Sequence, residues 1–259
     1  MLIDYHLHTH HSGDATGKVV DYILSASKKG LDEIGISDHF HPHEVKYSMT
    51  RKQINQYVTE VIQARENSKV PVKLGIELDF IPNMEEEIKK VTTVAEFDYK
   101  IGSVHYIKDW PFDNHQYISE YKKWDINQLY VTYFKLLQKC AKSKIFNIIG
   151  HPDLIKKFGY TPTGDMTAIL NETAKTFKES DVCIEVNTKG LMMPCRELYP
   201  SKKFLQICLK NDVQVTLGSD AHTPEQVGRN FSQAISMLKE VGYSCITRFT
   251  KQKTETVEI

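Results

Sequence analysis

Short apolar runs rich in Val and Ile alternate with longer stretches of helical period along almost the whole chain. The short runs read as strands over Leu2–His6, Glu33–Ser37, Val72–Leu78, Tyr99–His105, Phe146–Gly150, Val182–Val186 and Val213–Leu217. The pattern predicts helices near Val19–Lys29, Arg51–Asn67, Met84–Ala95, Ile126–Ser143, Met166–Glu179, Lys203–Lys210 and Glu225–Val241. Helix-end signals support several of these. Pro82-Asn83 precedes an acidic first turn of Glu85, Glu86 and Glu87, which the helix dipole favours. Thr223-Pro224-Glu225 offers a hydroxyl cap followed by Pro at the first helical position, and Gly30 and Gly242 stand where helices should stop. Strand and helix in strict succession imply parallel strands joined by right-handed crossovers. An open doubly wound sheet meets that requirement as well as a barrel does.

The polar residues decide between the two. Each strand run ends in, or just before, a group that can bind a metal: Asp4-Tyr5-His6-Leu7-His8, Ser37-Asp38-His39, Gly75-Ile76-Glu77, Gly102-Ser103-Val104-His105, Gly150-His151-Pro152-Asp153, Glu185-Val186-Asn187 and Gly218-Ser219-Asp220-Ala221-His222. Residues two apart share a strand face, so His6 can act with His8 and Asp220 with His222. At the ends of an open sheet these groups would be far apart, whereas a closed barrel gathers them at one mouth. The pattern therefore predicts a barrel as well as a metal site. Imidazole and carboxylate without thiolate suit Zn, Mn or Fe(II), and the number of candidates exceeds the needs of one ion. Paired metals can clamp an in-line displacement and generate hydroxide near neutral pH.

Composition changes this picture little. The 259 residues suffice for one barrel-sized domain or two smaller ones. Lys and Arg (33) balance Asp and Glu (33), so charge gives no case for extended nucleic-acid binding. Met1 runs directly into Leu-Ile-Asp-Tyr-His without a secretory pattern, and no apolar run approaches the ~20 residues that span a bilayer. Five cysteines without C-x-x-C spacing argue against a disulfide framework or thiolate zinc site, and a reducing cytoplasm fits them best.

The spacing D-x-H-x-H at Asp4–His8, followed by S-D-H, G-I-E, S-V-H, G-H-P-D, E-V-N-T and G-S-D-A-H-T, resembles the polymerase-and-histidinol-phosphatase (PHP) superfamily from about residue 1 to 245. The wording is most similar to that of its stand-alone histidinol-phosphate phosphatases. The resemblance implies an α/β fold, a distorted (β/α)7 TIM-like barrel, forming a single phosphoesterase domain over residues 1–259 with a trinuclear centre at the C-terminal strand ends. Carried over residue by residue, one metal takes His6, His8, Glu77 and Asp220. A second shares Glu77 with His105 and His151, and a third takes Asp14, His39 and His222. Some branches carry His where this chain has Asp14, and the harder ligand favours Mn or Fe. The ions are three divalent metals of the Zn, Mn or Fe class. The implied activity is hydrolysis of a small phosphate monoester, L-histidinol phosphate, by hydroxide bridging the metals. Other PHP hydrolases act on nucleotides, nucleic-acid ends or phosphotyrosine. A full ligand set counts against a non-enzymatic, metal-stabilised module.

Glu77, Asp220 and His222 are expected to carry the chemistry, with Asp220 or a coordinated water protonating the leaving alcohol. Arg196, after the sixth strand, and Lys156, after His151-Pro152-Asp153, are the expected phosphate cations. Asp4 is expected to orient a ligating histidine or to cap its strand, and Asp38 to orient His39. His10, His11, His41 and His43 receive no metal and are expected to line the mouth or face solvent. The aromatic segment Tyr106–Trp124 is expected either to overhang the site as a lid or to pack against the barrel.

Overall fold

The computed structural model describes residues 1–259, and in it the alternation becomes a ring of parallel strand positions wrapped by helices. The strands are β1 (Ile3–Asp4), β2 (Glu33–Ile36), β3 (His39–Phe40), β4 (Val72–Leu74), β5 (Glu77–Asp79), β6 (Ile101–Ser103), β7 (Tyr106–Ile107), β8 (Trp110–Pro111), β9 (Ile148–Ile149), β10 (Cys183–Asn187), β11 (Val215–Gly218), β12 (Cys245–Thr250) and β13 (Lys253–Glu258). The helices are α1 (Val19–Lys29), α2 (Arg51–Glu66), α3 (Glu85–Thr92), α4 (Ile126–Lys142), α5 (Thr167–Ser180), α6 (Lys202–Lys210) and α7 (Phe231–Val241).

The third predicted strand is split into β4 and β5, and the second, observed as β2, is followed beyond its expected end by the short β3. Pairing then runs in parallel from β1 to β2 to β4, and from β3 to β5, β6, β9, β10 and β11. From β11 the chain bonds back to its start: Tyr5 N–H donates to Leu217 O at 3.1 Å, His8 N–H to Ala221 O at 2.9 Å and Ala221 N–H to His6 O at 3.2 Å. Room inside the ring comes from glycine. A Cβ on Gly35 would meet Tyr99 Oη at 2.1 Å, and one on Gly75 would meet the same ring at 2.3 Å, so the buried Tyr99 occupies the space two side chains would otherwise fill.

Local chemistry explains the helices. Asp125 caps α4 by accepting from Gln128 N–H at 2.9 Å, and Leu129, Tyr133, Phe134, Leu137 and Ala141 form its buried stripe. Gly30 (φ 69°) and Gly242 (φ 114°) end α1 and α7 in the left-handed region. The last predicted helix needs correction. Thr223-Pro224 opens only a 3-10 turn (Pro224–Gln226), and α7 begins at Phe231 because Gly228 (φ 64°) and Asn230 (φ 58°) break the path. The turn is used elsewhere: Gln226 Oε1 accepts from His222 N–H, and Gly228 N–H donates to Asp4.

The terminal hairpin β12–β13 was not expected. Its Phe249 lies beside Tyr5 and Tyr99, with centroids 6.1 and 6.2 Å away, and its Arg248 pairs with buried Glu33 at 2.7 Å. No helix is long and apolar enough to cross a membrane.

Candidate metal centre

The strand ends deliver buried histidines around one carboxylate. Glu77, the first residue of β5, has His39 Nδ1 at 2.7 Å, His6 Nε2 at 3.1 Å and His8 Nε2 at 3.5 Å from Oε2. Its Oε1 has His151 Nε2 at 3.1 Å and His105 Nε2 at 3.8 Å. Asp220 Oδ1 stands 3.5 Å from His8 Nε2 and 3.4 Å from His222 Nδ1, and Asp14 Oδ2 is 3.5 Å from His222 Nε2. All the metal-ligand candidates of the sequence thus fall at one mouth. Three groups here bring their ligand atoms within 4.8 Å of one another: His6–His8–Asp220, His6–Glu77–His151 and His8–His39–His222. The last differs from the expected trio in having His8 where Asp14 was foreseen, because Asp14 sits farther out with its side chain 44% exposed.

These residues fit metal ions. His6 Nε2, both ring nitrogens of His8, His39 Nδ1 and Glu77 Oε2 are buried and crowd one another without a hydrogen bond of good geometry. Such atoms are costly unless something satisfies them, and convergent lone pairs of imidazole and carboxylate are what a Zn, Mn or Fe(II) ion satisfies. Electrostatics follow the same geometry. Burial disfavours ionised Glu77, but the fields of His6 and His39 outweigh it and hold the carboxyl well below its usual range. Burial and then the neighbouring His39 and His222 push His8 well down, keeping it neutral as a ligand must be. Asp220 is held low against burial by Lys189 and His6.

A second layer holds the ligands. Glu185 on β10 accepts from His6 Nδ1 (2.6 Å), His151 N–H (2.8 Å) and Asn187 Nδ2 (3.1 Å). Asp79, two residues after Glu77, pairs with His105 Nδ1 at 2.6 Å and accepts from Tyr47 Oη at 2.9 Å. Burial opposes a charge on His105, but Asp79 lifts it to about 10 in the metal-free protein. Each carboxylate fixes the tautomer so that Nε2 faces the centre. His151 (φ 26°) and Asp220 (φ 51°) are also held in backbone conformations that cost roughly 1–3 kcal/mol each.

Of its two expected uses Asp4 takes the one at the backbone: it touches no imidazole ring and accepts from Ser219 N–H, Ser219 Oγ, Gly228 N–H and His6 N–H. Other expectations are corrected here. Asp38 holds the loop after β1 through Thr9 and Ser12 rather than the ring of His39. Lys156 is buried, paired with Asp153 and Glu197 at 2.9 Å each, and does not line the cavity. Arg196 is exposed, its guanidinium turned to Leu191 O at 3.5 Å, and it does not line the cavity. Lysines unforeseen as phosphate cations line it: Lys189, with Nζ 3.0 Å from Asp220 Oδ1, and Lys157, paired with Asp113 at 3.2 Å.

The mouth opens into a cavity of about 800 Å³. The aromatic segment divides between its two expected uses. Tyr106 and Tyr117 line the cavity, while Trp110 packs on Tyr121 and Trp124, and Phe112 on Tyr133. Of the unassigned histidines, none lines the cavity except His115, which lies in this segment.

Fold and site together define an α/β protein of parallel strands and covering helices with a candidate metal centre at its strand ends. The chain belongs to the PHP family: the PHP domain profile matches residues 4–189. A probable histidinol-phosphatase of Deinococcus radiodurans is 34% identical over 95% of this chain and 96% of its own. The histidinol-phosphatase of Lactococcus lactis is 24% identical over 98% of this chain and 96% of its own. The crystal structure of the Lactococcus lactis histidinol phosphate phosphatase complexed with zinc, L-histidinol and phosphate is similar in fold, with a TM-score of 0.83 at 23% identity and 98% of each chain covered.

Proposed function

We propose that this chain is a histidinol-phosphatase, removing phosphate from L-histidinol phosphate in a reducing cytoplasm. His6, His8, Asp14, His39, Glu77, His105, His151, Asp220 and His222 would hold three divalent ions. The carrying observation is Glu77, a buried carboxylate with imidazoles on both oxygens, beneath an open cavity that presents Lys189. The names of the relatives supply the substrate. The proposed unit is one domain over residues 1–259, since Asp220 and His222 lie beyond the matched 4–189.

When bound, the ions would supply Lewis acidity and a lowered pKa for water. Glu77 presents one oxygen to His6 and His39 and the other to His151, so a single carboxylate serves adjoining positions. Glu185 and Asp79 keep His6 and His105 aimed inward. Lys189 sets an ammonium beside Asp220, where it would meet phosphoryl oxygens with positive charge. Asp220, held ionised between Lys189 and His8, would serve as a ligand and accept from Lys189 rather than carry the proton for the leaving alcohol. Tyr106 and Tyr117 give the cavity an aromatic wall for an imidazole ring.

The test is phosphate release from L-histidinol phosphate beside a nucleoside monophosphate, phosphotyrosine and a dinucleotide, on protein whose metals have been counted. Selective turnover of histidinol phosphate with about three ions per chain is expected. Preference for another ester would remove the substrate and leave the hydrolase.

A further inference from the structure

A second group of metal-type ligands lies outside the mouth. His10 and His11 follow β1 in the loop leading to α1, and Glu60 faces them from α2. His11 Nε2 is 3.0 Å from Glu60 Oε2, and His10 Nε2 is 3.7 Å from the same oxygen. A tetrahedral zinc ion with bonds of about 2.0–2.1 Å separates its ligand atoms by about 3.3 Å, so only small adjustments would seat one.

His10 Nδ1 lies 3.3 Å from Gly17 O, which orients the ring with Nε2 toward Glu60. His11 is fixed from the other side. Its side chain is 4% exposed and its ring stands edge-on to the buried Tyr57 at 5.6 Å. His10 and Glu60 are partly exposed, which leaves coordination positions open to water. A solvated hydrogen bond between His11 and Glu60 would account for that pair alone. It does not account for a second imidazole whose Nε2 lies 3.7 Å from the same oxygen.

We propose that His10, His11 and Glu60 form a peripheral site for one divalent transition-metal ion of the zinc class, separate from the central cluster. The ion would tie the loop after β1 to α2. Asp38 anchors that loop on its other side through Thr9 and Ser12, and Asp14 lies in it. The peripheral ion therefore braces the outermost ligand of the mouth without touching substrate.

The probe is zinc itself, in equilibrium dialysis of the full chain with its central ions loaded, followed by elemental analysis. His10→Ala and Glu60→Gln alter partly exposed side chains, so both variants should fold, which circular dichroism checks. Each variant should hold about one zinc fewer per chain than the parent while keeping its central ions. Copper(II) added to the loaded parent should give a nitrogen-ligated paramagnetic resonance signal that is absent from His10→Ala. Equal zinc content in parent and variants at every free-zinc level would overturn the site. Loss of the central ions from folded variants would overturn its separateness.

Discussion

Asp79 shows how the site depends on residues that bind nothing themselves. It reaches His105 because β5 and β6 pair with Asp79 opposite Ser103, a register that no spacing along the chain announces. The strand-end ligands were legible because each follows an apolar run and because His6 and His8, or Asp220 and His222, stand two apart, whereas Asp14 came only from the family resemblance. Their holders, Glu185 and Asp79, were not, since neighbouring strands choose those partners. Asp79→Asn keeps the shape but loses the charge on His105 Nδ1, and should weaken metal retention by roughly 10–100-fold with the fold intact. Metal titration of the variant checks this; parental affinity would show that His105 needs no orientation. The phosphate cations teach a related lesson. Guanidinium chemistry singled out Arg196, but chemistry carries no direction, and its side chain turns to Leu191 while Lys189 faces the cavity. Lys189→Met should lower kcat/KM at least tenfold, about 1.4 kcal/mol, with metal content unchanged. Arg196→Ala should cost less, and steady-state kinetics on both variants ranks them.

At the scale of elements, the alternating strands and helices of the parallel ring were readable, and the misses have local causes. The expected helix at Glu225 fails because Gly228 and Asn230 adopt positive φ, a choice made by the turn's bonds to Asp4 and His222. The hairpin β12–β13 was invisible because β13 is almost wholly exposed, with a polar sequence that carries no core signal. The fully buried contribution to the core comes from β12, through Ile246 and Phe249, while Val257 of β13 packs against it half-buried. Phe249 is 1% exposed and meets Tyr5 and Tyr99, whose rings stack at 4.8 Å beneath the metal centre. Phe249→Ala should therefore lower the free energy of unfolding by about 3–5 kcal/mol. Denaturant unfolding would measure the loss. A change below about 1 kcal/mol would mean that the hairpin merely decorates the barrel.

Over the whole molecule, the candidate ligands run from His6 to His222 and come from the ends of nearly every strand position in the ring. An ion held by His6, Glu77 and His151 joins β1, β5 and the turn after β9, segments far apart in sequence whose separation is what unfolding produces. Metal binding should therefore be a large part of stability. A ligand that binds only the folded state adds about 2.7 kcal/mol at a concentration 100 times its dissociation constant, and several ions add in succession. Removing them leaves buried atoms of His6, His8, His39 and Glu77 unsatisfied, a further penalty on the folded state. Chelated protein should melt well below metal-loaded protein, and readdition of zinc or manganese should restore the transition in proportion to metal bound. Glu77→Gln separates the cause from a general salt effect. It removes the carboxylate shared by neighbouring positions, so its melting temperature should respond far less to added metal than the parent's. If calorimetry finds the same transition with and without metal in the parent, the ring stands by its apolar core alone, and the centre serves chemistry without holding the fold.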